Sequence, residues 1–293
     1  MVSIFGKMET LQFNNPFGAP VYYKKTVTST MDEARLLKGT MSGTVIAAGE
    51  QTAGRGRSGR PWKMDRDKNL SLTIIFRYGT IAAIPPCLTL KAGLAVSGAI
   101  EDFTALVWGT KISPLAGRVL VKWPNDIMLL DKNGRGKKTA GILTEAEDGN
   151  VYLGIGANIA QRTFPPELEE KACSIAQALV ETMGQYKDTA LVDEGRFSLL
   201  ELILSRLKKE LKTAANGLDE FNRPGHWRQR LEERLYLKDQ RVCFTPGLPE
   251  EISCKPALAI EGMLKGIGQD GEILIVDHTG ELHSFITGEL KAY

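Results

Sequence analysis

Cysteine is scarce. Cys87, Cys173, Cys243 and Cys254 are the four in 293 residues; they lie far apart and form no Cys-x-x-Cys pair, so neither a zinc ribbon nor a disulfide framework is expected. A reducing cytoplasm fits that usage. No apolar run approaches the ~18 residues that span a bilayer, and Lys7, Glu9 and Asn14-Asn15-Pro16 interrupt the N-terminal stretch, so neither membrane insertion nor secretion is expected. The three histidines, His226, His278 and His283, have no partner at metal-ligand spacing and read as structural, with no metal site. A Gly-x-Ser-x-Gly elbow is missing, which leaves covalent catalysis without a nucleophile. A Walker loop is missing too, because Gly136-Lys137-Lys138-Thr139 lacks the first glycine, and this disfavours an ordinary kinase or ATPase. With 37 basic against 35 acidic residues the net charge is only +2, so any attraction for anions must be local.

The local charge sits in Gln51-Thr52-Ala53-Gly54-Arg55-Gly56-Arg57-Ser58-Gly59-Arg60-Pro61-Trp62 and its flank. Between residues 51 and 68, Arg55, Arg57, Arg60, Lys63, Arg66 and Lys68 are opposed only by Asp65 and Asp67. Glycine permits close backbone approach, and guanidinium forks bind phosphate oxygens in pairs. Taken alone, the loop also suits a solvated surface or an RNA-binding tail. Two further stretches narrow the reading. Lys122-Trp123-Pro124-Asn125-Asp126 sets an ammonium at a strand end beside an indole, and Gly154-Ile155-Gly156-Ala157-Asn158 leaves a side-chain-free surface on which a ligand can lie. Asn158 can present its amide to a purine edge. Each has a plain alternative: a surface lysine at a turn, a bulge, a turn cap.

The length suggests about two domains at ~150 residues each, and 43% hydrophobic with 25% charged residues is ordinary for a globular chain. Residues 21–28 read as a strand entering a helix, with Thr30 as N-cap and Glu33 completing a capping box. Strands are expected over 44–48, 70–76, 119–122, 141–145 and 151–155, and a helix started by Pro85-Pro86. From 165 to 235 the texture is helical, with Leu200, Ile203, Leu204, Leu207 and Leu211 on one face and Lys208, Lys209, Glu210 and Lys212 outward. After Tyr236 come short strands, 241–244, 258–265, 272–276 and 282–286, read as a separate barrel-like module. The expected division is 1–236 and 237–293.

Ser29-Thr30, the Gln51 to Trp62 loop, Lys122-Trp123-Pro124-Asn125-Asp126, Ala140-Gly141-Ile142-Leu143-x-Glu145 and Gly154-Ile155-Gly156-x-Asn158 together resemble the biotin protein ligases in composition and order. The resemblance covers residues 29–158, and the C-terminal strands look like that family's small last domain. It implies an α+β fold: a mixed sheet flanked by helices, like the catalytic domain of class II aminoacyl-tRNA synthetases, with a small C-terminal β-barrel domain. It implies that biotin and ATP, with Mg²⁺, give biotinyl-5′-AMP, and that the biotinyl group passes to a lysine of a carboxylase's biotin carboxyl carrier domain. By the same resemblance Ser29, Thr30, Gln51, Gly54, Arg55, Gly56, Arg57, Trp62, Lys122, Gly154 and Gly156 contact biotin. Arg57, Arg60, Lys122, Asn125 and Asn158 contact the nucleotide, and Arg57 and Lys122 act in catalysis. Asp126 is a candidate base for the second step. A homodimer is compatible with this reading.

The pattern is not uniform. Family members that repress transcription carry an N-terminal winged helix, whereas 28 residues precede Ser29 here, so DNA binding is not expected. Met31 and Ser58 stand where some members have a polar residue and an arginine. A lipoate or octanoate ligase or transferase shares the implied fold, but its Arg-Arg-x-Ser-Gly-Gly-Gly signature is absent. An RNA-binding protein using the Arg-Gly loop is the alternative of another class; a single such run and a pI near 8.2 weigh against it.

Overall fold

The computed structural model describes residues 8–185, 191, 193–211, 226–247 and 259–293. Eight strands form one sheet: β1 (Glu9–Leu11), β2 (Val21–Val27), β3 (Thr44–Gln51), β4 (Leu70–Arg77), β5 (Val119–Lys122), β6 (Asp126–Leu130), β7 (Gly136–Glu147) and β8 (Asn150–Ala157). Their spatial order is β1-β2-β3-β4-β8-β7-β6-β5. Only β2 and β3 run parallel, which makes the sheet mixed. The described helices are α1 (Thr30–Leu36), α2 (Leu88–Trp108), α3 (Pro166–Glu169), α4 (Ile175–Met183), α5 (Asp193–Glu210) and α6 (His226–Glu232).

Alternation along the central strands assigns the two sheet faces. Val45 and Ala47 of β3, Leu72 and Ile74 of β4, and Leu153 and Ile155 of β8 join one large core with Ala92, Val96, Ile100 and Phe103 of α2 and Leu200, Ile203, Leu204 and Leu207 of α5. The intervening Ile46, Ile75 and Tyr152 face the other way and meet Met31 and Ala34 of α1. One face is thus sealed by long helices. Over the central strands of the other face, α1 covers only a patch with seven residues. Arg206 of α5 clasps Asp102 of α2 through two hydrogen bonds of 2.5 and 2.7 Å, holding the covering helices together.

A second, antiparallel sheet follows, with β9 (Arg241–Pro246), β10 (Ile260–Ile267), β11 (Ile273–Asp277), β12 (Leu282–Phe285) and β13 (Gly288–Ala292) in the order β12-β11-β10-β9-β13. Tyr236 N–H still bonds to β5, at Val121 O (2.9 Å), whereas Asp239 N–H bonds to Leu264 O of β10 (2.8 Å). The chain passes from one sheet to the other within three residues. Trp123 Nε1 donates to Gly271 O at 3.0 Å, and its ring meets Phe244 of β9 at 5.8 Å, joining the two sheets.

The architecture is the expected α+β arrangement with a small C-terminal β unit, and local details differ. The N-cap of α1 is Ser29, not Thr30: Ser29 Oγ accepts from Met31 N–H at 3.2 Å. Glu33 completes no capping box; it reaches Lys24 of β2 at 2.7 Å in a buried ion pair. Helix α2 begins after Cys87, a left-handed residue at φ 58°, so Pro85-Pro86 stand before the helix and not in its first turn. Strands β1, β6 and β13 were not expected, being short or placed directly after a turn. Lys212, Cys254 and Leu258 lie outside the described residues.

Phe103 is fully buried between α2 and the sheet. Phe103→Ala is expected to cost ~3–5 kcal/mol of stability, the range for emptying a large aromatic from a core. Urea unfolding monitored by circular dichroism measures it; a loss below ~1 kcal/mol would contradict this packing.

Candidate functional site

The half-covered sheet face is where the chemistry-bearing residues meet. Beyond the N-terminus of α1 the outward positions are Ser71 and Thr73 on β4, Gly154 and Gly156 on β8, and Gly141 on β7. Thr73 pairs with Gly154, Ser71 with Gly156, and Gly156 with Gly141. The result is a floor almost without side chains. A Cβ added at Gly156 would lie 2.6 Å from the indole of Trp62, and one at Gly154 would lie 3.2 Å from Met31 Sδ. Here glycine is required by close approach.

At one end of this floor a polar network fixes the start of α1. Thr30 donates to Gln51 Oε1 through its backbone N–H (2.8 Å) and its hydroxyl (3.1 Å). Thr73 Oγ donates to Thr30 Oγ at 2.9 Å, and Gln51 Nε2 donates to Ser71 Oγ at 3.2 Å. Ser29 and Thr30 are themselves buried. Hydroxyl, amide and helix N–H groups therefore converge in a dry corner suited to the polar head of a small ligand.

The Arg-Gly segment is a small hairpin flap over the floor. Trp62 N–H donates to Gly54 O and Gly56 N–H to Arg60 O, both at 2.8 Å, and Arg55 bridges Pro61 in antiparallel fashion. Ser58 (φ 57°) and Gly59 (φ 66°) turn the chain at its tip. The three guanidiniums diverge. Arg55 takes both carboxylate oxygens of Asp32 on α1 (3.0 and 2.6 Å). Arg60 pairs with Glu289 on β13. Arg57 remains over the cleft, where Nη1 donates to Asn125 Oδ1 at 3.3 Å. Burial pushes the pKa of Arg57 down, against the pull of Asp126.

The opposite wall is the β5–β6 turn, which contains a cis Trp123-Pro124 bond. Asn125 Nδ2 donates to Ile142 O at 2.9 Å, so the same side chain anchors the turn and steers Arg57. Asp126 pairs with Lys138 at 2.6 Å, and the Lys138 ammonium lies 5.4 Å from the centre of the Trp62 ring. Lys122 differs from these. Burial lowers its pKa from the ordinary 10.5; Asp126 opposes the shift and the neighbouring Lys138 adds to it. Among the described residues no hydrogen bond or ion pair engages its ammonium.

These parts line one cleft of about 610 Å³. It brings together Ser29, Thr30, Gln51, Arg55, Gly56, Arg57, Arg60, Trp62, Lys122, Asn125, Gly154 and Gly156. Two expected residues stand aside. Gly54 sits at the root of the flap, where a Cβ would meet Trp62 O at 2.7 Å. Asn158 is buried with its amide donating to Cys173 O at 3.3 Å, outside the lining. Trp123 does line the cleft, yet its indole is committed to the second sheet. Sequence reasoning missed Lys138, Tyr236, Glu289 and Lys291, which also line it. Lys138 was visible two residues before Ala140-Gly141, whereas Glu289 and Lys291 carry no local signal because only the docking of β13 brings them here. His283 has an acidic neighbour after all, Asp277 at 2.8 Å. That carboxylate also accepts from Thr279 and the Glu281 N–H, bracing the β11–β12 turn away from the cleft.

Fold and cleft together define a domain of the biotin and lipoate ligase class, and residues 20–158 match the biotin/lipoate A/B protein ligase family. The chain is 35% identical over 170 residues to the bifunctional ligase/repressor BirA of Bacillus spizizenii, covering 55% of this chain and 47% of that protein. It is 36% identical over 139 residues to the biotin–[acetyl-CoA-carboxylase] ligase of Mycobacterium tuberculosis, covering 46% of each. The chain thus spans about half the length of the curated relatives it matches. A solved biotin protein ligase from Aquifex aeolicus, in complex with biotin and ATP, superposes with a TM-score of 0.68 at 25% identity, covering 92% of this chain and 97% of that one. Residues 20–158 thus carry a biotin/lipoate A/B protein ligase domain, and the chain is similar to biotin protein ligases.

The partly buried Lys122 ammonium has a consequence for stability. Because its folded pKa lies below 10.5, the unfolded chain holds more protons as pH rises through that window, so stability grows with pH there. Lys122→Met is expected to be more stable than the parent at neutral pH, with the gain shrinking as pH climbs toward 10.5. Denaturation midpoints of the two proteins across pH 7 to 10.5 test this; a constant difference would show that the charge is not buried at a cost.

Proposed function

We propose that this chain joins biotin to ATP as biotinyl-5′-AMP, releasing pyrophosphate, and then passes the biotinyl group to a lysine of a biotin carboxyl carrier domain. One observation carries the reading: a single cleft holds a polar corner at Ser29, Thr30 and Gln51, a glycine floor, and two partly buried cations, Arg57 and Lys122. In the first step a carboxylate oxygen attacks the α-phosphorus, which brings two anions together. Preorganised cations lower that barrier most where water is excluded. In the second step the amine attacks the acyl carbon and AMP leaves. The protein needs no nucleophile, since both nucleophiles arrive with the substrates.

Under this reading Ser29, Thr30 and Gln51 bind the bicyclic head, Gly154 and Gly156 support the tail, and Lys122 and Arg57 hold carboxylate and phosphate. Asn125 serves by aiming Arg57. Arg60 would reach the nucleotide only by releasing Glu289, and Asn158 would need to leave Cys173 O to meet adenine. The acceptor lysine must be neutral, although only about one in 2,500 is so at pH 7; the nearby cations depress its pKa by repulsion. Asp126 is a poor base while Lys138 occupies it. Mg²⁺ would accompany ATP and neutralise phosphate charge. The lining carboxylates Asp126, Glu170 and Glu289 are already paired with Lys138, Lys137 and Arg60, a donor set that fits a metal carried largely by the phosphates. The crossing from Tyr236 to Asp239 supports a domain boundary after residue 236.

Incubation with ATP, Mg²⁺, biotin and a carrier fragment is expected to add one biotinyl mass to the carrier's lysine, and lipoate in place of biotin is expected to add nothing. Modification by lipoate alone would overturn the reading. Lys122→Ala should slow adenylate formation roughly 10- to 150-fold, the loss of one charge-assisted contact of ~1.5–3 kcal/mol; wild-type rates in that variant would remove Lys122 from the role. Arg57→Ala is expected to speed dissociation of biotinyl-5′-AMP, measured by competition with labelled intermediate, and an unchanged rate would count against its grip.

A further inference from the structure

Three arginines in the flap would be expected to converge on one anion, yet they do not. Arg55 turns away from the cleft centre and forms a two-point fork on Asp32. Its Nε also lies 3.9 Å from Glu145 Oε1 on β7, and Arg35 joins both acids, pairing with Glu145 and lying 3.8 Å from Asp32. Two guanidiniums and two carboxylates from α1, β7 and the flap thus interlock. An isolated surface ion pair contributes little, but a bidentate fork inside a network is the exception. The placement is telling. Asp32 sits three residues after Ser29 on the same short helix, whose first residues form the polar corner, and Arg55 sits at the root of the hairpin beside Gly54 and Trp62.

We infer that Arg55 is a positioning residue: its fork on Asp32, braced by Glu145 and Arg35, pins the root of the Arg-Gly flap to the helix that presents Ser29 and Thr30, so that the flap pivots above a fixed base. The exit limb has its own anchor, because Asp67 accepts from Arg196 of α5 at 2.6 Å and from Tyr23 at 3.2 Å. Between these anchors the tip is held more lightly: Arg60 makes an exposed pair with Glu289, Arg57 donates to Asn125 Oδ1 at 3.3 Å, and Lys63 lies 3.5 Å from Glu167. Opening at the tip with a held root lets Arg57 and Arg60 swing away from the cleft while Trp62 stays against Gly156 and the register between flap and polar corner is kept. The Arg55 hydrogen bond is also the main cause holding the Asp32 pKa below the usual carboxylate range, so the pin persists at mildly acid pH.

The inference rests on the proposed biotin chemistry only for its second readout. Without any ligand, Asp32→Asn is expected to speed hydrogen exchange of the Gly56 and Trp62 amides about tenfold, the effect of losing a charged hydrogen bond. Asp32→Glu, which keeps the charge, restores slow exchange, and Asp32→Asn combined with Arg55→Gln is no worse than either alone. With substrates, Asp32→Asn should raise the KM for biotin about tenfold while kcat stays within about twofold. Unchanged exchange in Asp32→Asn, or fully additive effects of the two substitutions, would overturn the pin. Altered exchange in a protein that never forms the adenylate would leave the pin standing and sink the biotin reading.

Discussion

Positive charge held partly out of water beside a floor of glycine is the constraint around which the rest of this structure is arranged. Lys122 holds its ammonium where burial works against it, and Arg57 is shifted the same way. A fold tolerates such charges only if the surroundings are rigid and an anion is expected there. The rigidity is visible: Asn125 is locked to Ile142 O and aims Arg57, Trp123 is locked to Gly271 O, and the turn between β5 and β6 cannot shift without breaking both. Arg55, Arg60 and Lys138 are neutralised by Asp32, Glu289 and Asp126. Repulsion is moderated and not abolished, since Lys138 and Lys291 still lower the Lys122 pKa and Arg60 that of Arg57.

That arrangement needs a sheet with unequal faces. Long helices α2 and α5 seal one side, and their buried Leu, Ile and Phe residues supply the stability. The other side carries the short α1 and then the floor of Gly141, Gly154 and Gly156, so a ligand can lie directly on backbone. The second sheet completes the wall by setting β13 against the flap. Burial on one face thus supports a deliberately under-packed site on the other, in keeping with functional sites being places where local rules of stability are relaxed.

Much of this was legible beforehand, and for physical reasons. Strands β3, β4, β5 and β8 are β-branched or apolar runs bounded by turn residues, and the α5 stripe repeats at 3.6 residues; both signals are local. Twelve of the expected site residues line one cleft because motif composition reflects backbone approach and charge, which a short stretch already encodes. The failures are equally instructive. Thr30 was read as the cap because hydroxyl and acid were counted by spacing, whereas Ser29 caps and Glu33 answers Lys24 across the sheet. Asn158, just past β8, turns its amide toward Cys173 O, a contact that no short stretch encodes. Arg55 and Arg60 were grouped with Arg57 because a linear run cannot show that a hairpin sends alternate side chains to different partners.

The amino-acid sequence by itself determined the fold class and the inventory of charge and glycine that a carboxylate and a phosphate would need, since periodicity, turn chemistry and motif composition act over a few residues. Tertiary structure alone decided which charges are free. Lys138 from β7, Glu289 from β13 and Asp32 from α1 are far apart along the chain, and pairwise electrostatics depends on distance in space, so only the assembled sheets could separate Lys122 and Arg57, which confront the cleft, from the cations held in ion pairs.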